Sequence, residues 1–373
     1  MNSLGFAFFM LAVVTLPLGA IITFIPFLTR RTESFGVSIE EKHFNDPEIR
    51  AMRRTYAAAT GTVSLIAVIA SFAGAAFLDA ERQLGWLLPA AVGVMLIAHL
   101  ILYLRYHFRM RRLKEERGLV SPAQQTVVDT DFYREKRAYS MAWLIPHLLV
   151  AAATALFIIM NYDAFPDRII MQYDLSGNPT NVVDKSWGTV LFPVWMQLFM
   201  IAVFAVVNYG ISTGKQQIDA SNPRASLRRN LIFRRKWSAF NLGTGFLLTA
   251  MFALFPLQQF YGFEMGIMLA AVLSVVAIIL LWAVRLGFVT GQGGSRIRLP
   301  DEPGSAPTGK VNRDDDRHWI LGQFYYNPDD PALFLEKRFG IGWTMNFARP
   351  LAWVLLLAPL ALIAVIIILL ELG

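Results

Sequence analysis

The sequence contains no cysteine and little charge. The absence of cysteine excludes disulfides, a thiolate nucleophile, and zinc or iron–sulfur sites ligated by cysteine. Charged residues make up 16% of the chain and hydrophobic residues 55%, which are proportions of a membrane protein rather than of a soluble domain. A chain of 373 residues with this composition is therefore expected to form several membrane-spanning helices rather than several globular domains.

Sequence motifs of the common enzyme classes are also missing: H-E-x-x-H, G-x-S-x-G, Walker and G-x-G-x-x-G patterns do not occur. Gly291–Arg296 resembles the last of these, but its final glycine is absent and no strand is predicted before it. The acidic run Asp314–Asp316, followed by His318, lies in a segment that we expect to be solvated. We therefore predict no enzymatic activity, no metal and no cofactor.

Eight apolar runs contain no Asp, Glu, Lys or Arg, and each is long enough to cross a bilayer, which needs roughly 20 residues. They predict an all-α polytopic bundle with eight transmembrane helices. Met1–Leu28 has no basic region, so we expect a retained first helix rather than a secretory signal. The predicted spans are Leu4–Leu28, Ala58–Leu78, Gly85–Leu104, Ala142–Tyr162, Thr189–Ser212, Ser238–Leu257, Met265–Val284 and Pro350–Leu370.

Lysine and arginine are concentrated in alternate loops. The odd-numbered loops hold 30 of the 34 basic residues, and the even-numbered loops hold 3. Because cytoplasmic loops are enriched in Lys and Arg, we predict that the odd loops are inside and that both termini are outside. The net charge of +7 then reflects topology, and we expect no nucleic-acid partner. The basic runs Arg109–Lys114 and Arg228–Lys236 are predicted to lie beside anionic lipid.

The loops suggest a division of the chain into four parts. Residues 1–289 form a seven-helix membrane region, which includes the long outer loop 163–188. Residues 290–318 are rich in Gly, Pro and Ser and predict a flexible cytoplasmic linker. Residues 319–349 contain aromatic and turn residues and predict a small cytoplasmic module. Residues 350–373 form the final helix.

The outer loop carries a dense motif, FPDRIIMQYDLSGNPTNVVDKSWGTVLFPV, in residues 165–194. It resembles the signature of a family of bacterial multi-pass membrane proteins of unknown function allied to SdpI. Ile170 stands where that family has a second proline, and Gln172 stands where it has histidine, so this loop lacks the family's natural metal ligand or titrating group. The residues that match the family are Pro166, Ile169, Tyr173, Asp174, Gly177, Pro179, Lys185 and Ser186.

Two further segments extend the resemblance. Phe35–Tyr56 is similar to the first inner loop of such proteins, and Trp319–Pro350 resembles a second domain of unknown function that is often attached to them. SdpI protects its producer from a secreted peptide toxin and binds a transcriptional repressor when the toxin is present. The resemblance therefore implies immunity or sensing in a bacterial plasma membrane, with an extracellular peptide and a cytosolic regulator as partners beside the lipid bilayer.

The turn in the outer loop admits three interpretations. Tyr173–Pro179 combines Asp, Asn and Gly as tight turns do. Calcium binding through Asp174, Ser176 and Asn178 is an alternative, although the EF-hand needs its glycine at position six and Gly177 lies at position four. Ligand contact is the third, because acidic residues outnumber basic ones in this loop by two. The candidate residues are Pro166, Gln172, Tyr173, Asp174, Gly177 and Lys185.

Polar residues inside the predicted spans form a second candidate site. Each is expected about four or five residues from the cytoplasmic end of its helix, so all would lie at similar depth. They predict either a polar vestibule open to the cytosol or ordinary snorkelling and interhelical hydrogen bonds. These residues are His99, His147, Asn208, Asn241 and Arg285.

The cytoplasmic module is the third candidate site. We expect it to dock on the membrane through Arg338, Phe339 and Trp343, since basic and aromatic side chains suit an anionic leaflet. Phe347 and Trp353 are expected beside Trp343 in an aromatic belt. The candidate residues of the module are Asn327, Asp330, Arg338, Gly342, Trp343 and Asn346.

The sequence leaves two functions open. The first is immunity against, or sensing of, an extracellular peptide or envelope stress. The alternative is a transporter or permease for a small amphipathic compound. Paired discontinuous helices around a cavity at the midplane would favour transport, whereas a solid bundle with a groove facing outward would favour immunity or sensing.

Overall fold

The computed structural model of the protein describes residues 3–77, 80–119, 135, 137–173, 179–216, 223–299 and 316–372. Within them are eight α-helices, and seven are long and apolar enough to cross a membrane, which confirms the predicted all-α polytopic class. The helices are α1 (Ser3–Leu28), α2 (Pro47–Phe77), α3 (Ala80–Glu116), α4 (Ile145–Asn161), α5 (Trp187–Thr213), α6 (Pro223–Tyr261), α7 (Met265–Thr290) and α8 (Pro350–Leu372). In α8, the apolar stretch of described side chains is Pro350–Leu362, which is shorter than the stretches of the other seven helices.

Short strands in the described residues pair as antiparallel hairpins of two strands each. The hairpin between α4 and α5 has the longest strands, and its register pairs Ile169 with Val183. The register shifts between Ile170 and Tyr173, which is typical of a β-bulge at Gln172. The strands are β1 (Glu33–Ser34) with β2 (Val37–Ser38), β3 (Arg168–Tyr173) with β4 (Pro179–Asp184), β5 (Trp319–Ile320) with β6 (Phe324–Tyr325), and β7 (Phe334–Glu336) with β8 (Trp343–Met345).

Three helices extend well beyond their predicted spans: α2 begins at Pro47, α3 ends at Glu116 and α6 begins at Pro223. Their extra turns are rich in Arg and Lys, which are good helix formers, so hydropathy alone does not detect them. One face of each extension is nevertheless buried, as Met110 on α3 and Phe233 on α6 show. The extensions therefore provide a platform for other parts of the chain.

The helices pack in two groups that α7 connects. Helices α1, α2 and α3 contact one another, as do α4, α5 and α6, and α7 contacts both α1 and α6. Small residues allow close approach: a Cβ atom on Gly243 of α6 would lie 2.7 Å from the ring of Trp282 on α7.

The hairpin β3–β4 and the C-terminal module lie at opposite ends of the bundle. Helix α5 has 27 residues, a length of about 40 Å, and it begins just after β4. At its other end, the backbone N–H of Lys215 donates a hydrogen bond of 2.7 Å to Phe334 in β7. We call these ends the hairpin end and the module end, and the distribution of basic residues predicts that the hairpin end is outside.

The first part of the predicted flexible linker is folded. Residues Gln292–Gly294 form a 3₁₀ turn directly after α7, and Gln292 is fully buried. Its side chain donates to the carbonyl groups of Lys337 and Gly342, at 2.8 and 2.9 Å. A glycine-rich segment thus serves as a docking surface, because the glycines let the backbone approach closely. Residues 300–315 of the predicted linker lie outside the described residues.

Candidate functional site

An apolar pocket of about 200 Å³ lies beneath the hairpin β3–β4, between the ends of α5 and α6. Thr189 and Gln259 are the polar members of its lining, and no charged residue belongs to it. The pocket is therefore suited to an apolar group. The lining residues are Phe165, Ile169, Ile170, Met171, Thr189, Val190, Phe192, Pro193, Phe252, Phe255, Pro256 and Gln259.

Two consecutive glutamines at the end of α6 hold the hairpin over this pocket. The amide of Gln259 donates to the carbonyl of Ile170 at 2.8 Å and accepts from its N–H at 3.4 Å. The hydroxyl of Tyr173 donates to Gln258 at 3.1 Å. Burial raises the pKa of Tyr173, which keeps this hydroxyl protonated. The hairpin is thereby fixed to α6 as well as to the helices that precede and follow it.

The residues predicted as an outer-loop site fall on different sides of the hairpin. Pro166 and Gln172 are exposed, so the position where the related family has histidine faces away from the core. Lys185 turns back onto backbone carbonyl groups at the start of the loop. Asp174 and Gly177, and with them the calcium site considered above, lie outside the described residues.

Two of the predicted intramembrane polar residues connect helices of the α4–α6 group. Nε2 of His147 on α4 lies 2.9 Å from the carbonyl of Leu242 on α6. The amide of Asn241 on α6 donates to the carbonyl of Phe204 on α5 at 2.9 Å. Both are interhelical hydrogen bonds of the kind that holds membrane helices together.

Asn208 on α5 extends the same pattern towards the module end. Its amide nitrogen donates to the carbonyl of Tyr139 at 3.0 Å, and its oxygen accepts from the hydroxyl of Ser238 at 2.6 Å. Ser238 in turn accepts from the N–H of Tyr139 at 2.9 Å. This closed ring of three residues joins α5 and α6 to the segment before α4.

The remaining two polar residues lie elsewhere. His99 on α3 shares a short hydrogen bond with the hydroxyl of Tyr56 on α2, and Arg285 on α7 is exposed on the helix surface. The five residues therefore do not form one site: His147, Asn208 and Asn241 belong to the α4–α6 group, whereas His99 and Arg285 lie apart from it.

Sequence analysis missed Gln197, which is fully buried in α5. Its amide nitrogen donates to the carbonyl of Thr249 at 2.9 Å and to the hydroxyl of Thr154 at 3.2 Å, so it connects α4, α5 and α6 between the pocket and His147. A glutamine inside an apolar run was the available signal.

The module docks on the helix ends through Phe339, which is 2% exposed. Its ring centroid lies 4.5 Å from that of Tyr103, 5.8 Å from Phe35, and 6.3 Å from both Tyr56 and His99. Phe339 therefore packs against protein rather than lipid, which differs from the sequence prediction. The reason is that α2, α3 and the first inner loop supply an aromatic pocket that the module covers.

A buried ionic network lies next to this aromatic contact. Glu336 is fully buried, and one carboxylate oxygen accepts from Arg234 at 3.1 Å and from Asn230 at 2.7 Å. The other oxygen pairs with Arg30 at the end of α1. Arg234, also fully buried, donates to two carbonyl groups at the end of α5, at 2.7 and 2.9 Å. One carboxylate thus connects the module with α1, α5 and α6.

A second ionic group surrounds Asp316, the last residue of the acidic run. Its carboxylate pairs with Lys114 at 2.7 Å and with Arg338, and it accepts from the hydroxyl of Ser38 at 2.8 Å. Burial alone would raise the pKa of Asp316, but the two cations outweigh burial and lower it to about 2. Lys114 and Arg338, both predicted to face lipid, therefore hold the module to α3 and to the hairpin β1–β2.

This pKa predicts how docking depends on pH. Because the pKa in the folded protein lies below the unfolded value of about 3.9, the stabilisation by Asp316 is present above about pH 4. It is lost as the pH falls through about 2. We expect tryptophan fluorescence of the module to stay constant from about pH 7 to 5 and to change below about 4. The Asp316→Asn variant should lack this component, and the control Asp329→Asn, at an exposed site, should keep it.

Three predicted residues of the module stabilise its own turn. Asn346 is fully buried and donates to the carbonyl groups of Asn327 and Asp330, at 2.8 and 3.0 Å. Asp330 accepts from the hydroxyl of Tyr325 at 2.9 Å and pairs with Lys215 just after α5. Burial opposes ionisation of Asp330, but these hydrogen bonds lower its pKa. This turn is therefore tied to the bundle as well.

Gly342 and Trp343 complete the docking surface. Gly342 has a φ of +113° and donates its N–H to Gln292 at 2.8 Å. The ring of Trp343 lies 5.3 Å from that of Phe233 on α6 and covers Gly214, where an added Cβ would lie 2.9 Å from the indole. Trp343 thus contacts the extended helices instead of the predicted lipid interface.

Two hairpin turns meet at their tips. Phe35–Gly36 and Leu321–Gly322 have positive φ at both positions; the first pair forms a two-residue hairpin turn, and the second lies in the three-residue loop between β5 and β6. A Cβ on Gly36 would lie 2.8 Å from the Cα of Gly322. The hydroxyl of Tyr103 donates to the carbonyl of Leu321 at 2.6 Å. Both glycines are required by the close approach as well as by the turn.

We expect Gly36→Ala to weaken module docking more than a glycine substitution in open space. A matched control is Gly262→Ala, since Gly262 has a φ of +63° and no neighbour within 4 Å of an added Cβ. The two variants share the cost of positive φ, but overlap should add about 1–3 kcal/mol at Gly36. Equal losses in the free energy of unfolding, measured by denaturant titration in micelles, would show that the turns do not press together.

Metal binding has no support in the described part of the chain, where no group of three or more His, Asp or Glu is placed to hold an ion. Asp314 and Asp315 lie outside the described residues. Asp316 is engaged by Lys114 and Arg338, as described above.

Two family models match the chain. Residues 149–196, which include most of α4, the hairpin and the start of α5, match a domain of unknown function (DUF1648). Residues 328–353, which include most of the module and the start of α8, match a family of unknown function (DUF5808). These matches fit the resemblances of the outer loop and of Trp319–Pro350, and neither of them reaches Phe35–Tyr56. No curated protein and no solved structure matches the chain.

Proposed function

We propose that the chain protects a bacterial cell against an extracellular peptide or senses such a peptide or envelope stress, as its resemblance to SdpI-allied proteins implies. The observation that carries the proposal is the apolar pocket beneath the hairpin. Most of its lining belongs to the segment that matches DUF1648. The positive-inside rule predicts that this end of the bundle faces outward, and we propose that the membrane is the plasma membrane.

The module supplies the second half of the proposal. It lies at the opposite end of α5 and α6, where Glu336 and Arg234 join it to both helices. A ligand that shifts α5 against α6 at the hairpin end would strain this network, and a cytosolic regulator is the proposed recipient of that change. Binding and signalling of this kind need no catalytic group, so we propose that the chain is not an enzyme.

Filling the pocket tests the proposal. Val190, 3% exposed, lines the pocket on α5, whereas Val206 on the same helix is 37% exposed and faces away from the bundle. Cells producing the wild type should survive higher concentrations of membrane-active peptides, or change their transcripts in response to them. Val190→Phe should abolish this response, and Val206→Phe should preserve it at equal membrane abundance.

The same cultures distinguish binding from transport. If the wild type changes neither survival nor transcripts relative to cells without the chain, the proposed function is wrong. If survival depends on export of the peptide, measured as lower accumulation in the cell, the transporter interpretation replaces immunity and sensing.

A further inference from the structure

The two polar side chains that line the pocket beneath the hairpin are engaged by neighbouring residues of the chain. The side-chain amide of Gln259 donates to the carbonyl of Ile170 and accepts from its N–H. In the capping box of α5, the hydroxyl of Thr189 accepts from the N–H of Ser186, and the N–H of Thr189 donates to the hydroxyl of Ser186. Since the other lining residues are apolar, the part of a ligand that enters must be uncharged and apolar, of the size of one large side chain or a short alkyl chain.

The rim of the pocket has the opposite character. Asp163 and Asp167 are exposed on either side of Phe165, and Asp184 is exposed at the end of β4, shortly before the lining residue Thr189. Glu264, at the start of α7 on the same end of the bundle, is exposed too. An acidic rim around an apolar, low-dielectric pocket attracts cations.

The two basic residues of the hairpin neutralise only part of the acidic charge at this rim. Nζ of Lys185 is held by the carbonyl of Phe165 at 2.9 Å and lies 3.4 Å from Asp167, which is 97% exposed and keeps most of its surface in solvent. Arg168, in β3, is opposite Asp184 in the strand register. Asp163 and Glu264 remain as further exposed acids, so the described rim is net negative.

The pocket also lies where an amphiphile would meet it. Phe255 on α6 lines the pocket and is 37% exposed, so the pocket is open towards the surface of the bundle. The hairpin above it carries the charged groups. An amphiphile at a membrane surface is arranged in the same way, with its charged group in water and its apolar group towards the bilayer.

We infer that this pocket binds a cationic amphiphile, with an aliphatic or aromatic group in the cavity and an ammonium or guanidinium group at Asp163, Asp167 and Asp184. The inference rests on the proposed function and narrows its ligand class to basic amphipathic peptides and amines. An anionic amphiphile of the same length is excluded by the rim, and a neutral one gains nothing from it.

A single thiol in the pocket tests this ligand class, because the chain has no cysteine of its own. Met171→Cys places the thiol in the lining, and Tyr261→Cys, at an exposed site at the same end of the bundle, is the control. The probes are octyltrimethylammonium and octyl sulfate, and the measurement is the rate of alkylation by N-ethylmaleimide in the purified full chain in nanodiscs. We expect the ammonium probe to slow alkylation at position 171 about 5-fold more than the sulfate, with no difference at position 261.

Charge removal completes the experiment. Asp163→Asn, Asp167→Asn and Asp184→Asn, combined in the Met171→Cys background, should abolish the preference for the ammonium probe and leave the protection by the octyl chain. Equal protection by both probes in the parent would overturn the cationic class and leave the proposed function standing. Protection by neither probe would show that the pocket is not a ligand site, which overturns the proposed function as well.

Discussion

Glu336→Gln should lower the free energy of unfolding by about 3–5 kcal/mol, because it removes the negative charge that two buried guanidinium groups share. The substitution keeps the shape of the side chain, so the loss reports charge rather than packing. Arg234 has no exposed surface, and the side chain of Arg30 is 11% exposed, so water cannot replace the missing partner. Tryptophan fluorescence during denaturant titration in micelles measures the loss.

Two further variants separate this network from ordinary ion pairs. Glu41→Gln removes the exposed pair with Arg31, whose atoms lie 3.4 Å apart, and should cost less than about 1 kcal/mol. The double variant Arg30→Gln, Glu336→Gln should lose less stability than the sum of the two single losses, because the two residues share one contact. Equal losses for Glu336→Gln and Glu41→Gln would contradict the assignment of Glu336 to the module contact.

Phe339→Ala should destabilise the protein by about 3–5 kcal/mol, because truncation of a buried phenylalanine removes its burial and leaves a cavity. The ring is in contact with Tyr103, Phe35 and other aromatic side chains from α2, α3 and the first inner loop. The variant should therefore release the module and make the chain after α7 more susceptible to protease in micelles.

Phe324 provides the matched control within the module. It is 50% exposed, so Phe324→Ala should change the free energy of unfolding by less than about 1 kcal/mol. If both phenylalanine variants were equally stable to denaturant and protease, the module would be held by its ionic groups alone.

The spans were predictable because each depends on a local property, an uncharged apolar run long enough for the bilayer. The extension of α6 was not, since its exposed face is basic and only its buried face is apolar, whereas the start of α2 at Pro47 has a local signal, a capping Asp46 followed by proline at the first helical position. The burial of Gln292 was not predictable from local sequence either. A glycine-rich segment resembles a flexible linker in sequence, and its burial follows only from a partner about 50 residues away, Gly342.

The candidate sites were predicted less well than the spans. The turn with Asp174 and Gly177 and the polar residues of the spans were local signals, but the pocket requires Phe165, Val190 and Phe255 from three separate segments. No sequence pattern within a single segment predicts such a cavity. Likewise Arg338 and Trp343 suited a lipid surface by composition, and their protein partners became apparent only with the helix extensions in place.

The side of the membrane on which each end lies is the most direct test of the account. Because the chain has no cysteine, Gln172→Cys on the hairpin and Asp329→Cys on the module each introduce one exposed thiol. The account predicts that a membrane-impermeant maleimide labels position 172 on intact cells and labels position 329 only after the cells are permeabilised. Labelling of position 329 on intact cells, with position 172 protected, would contradict it.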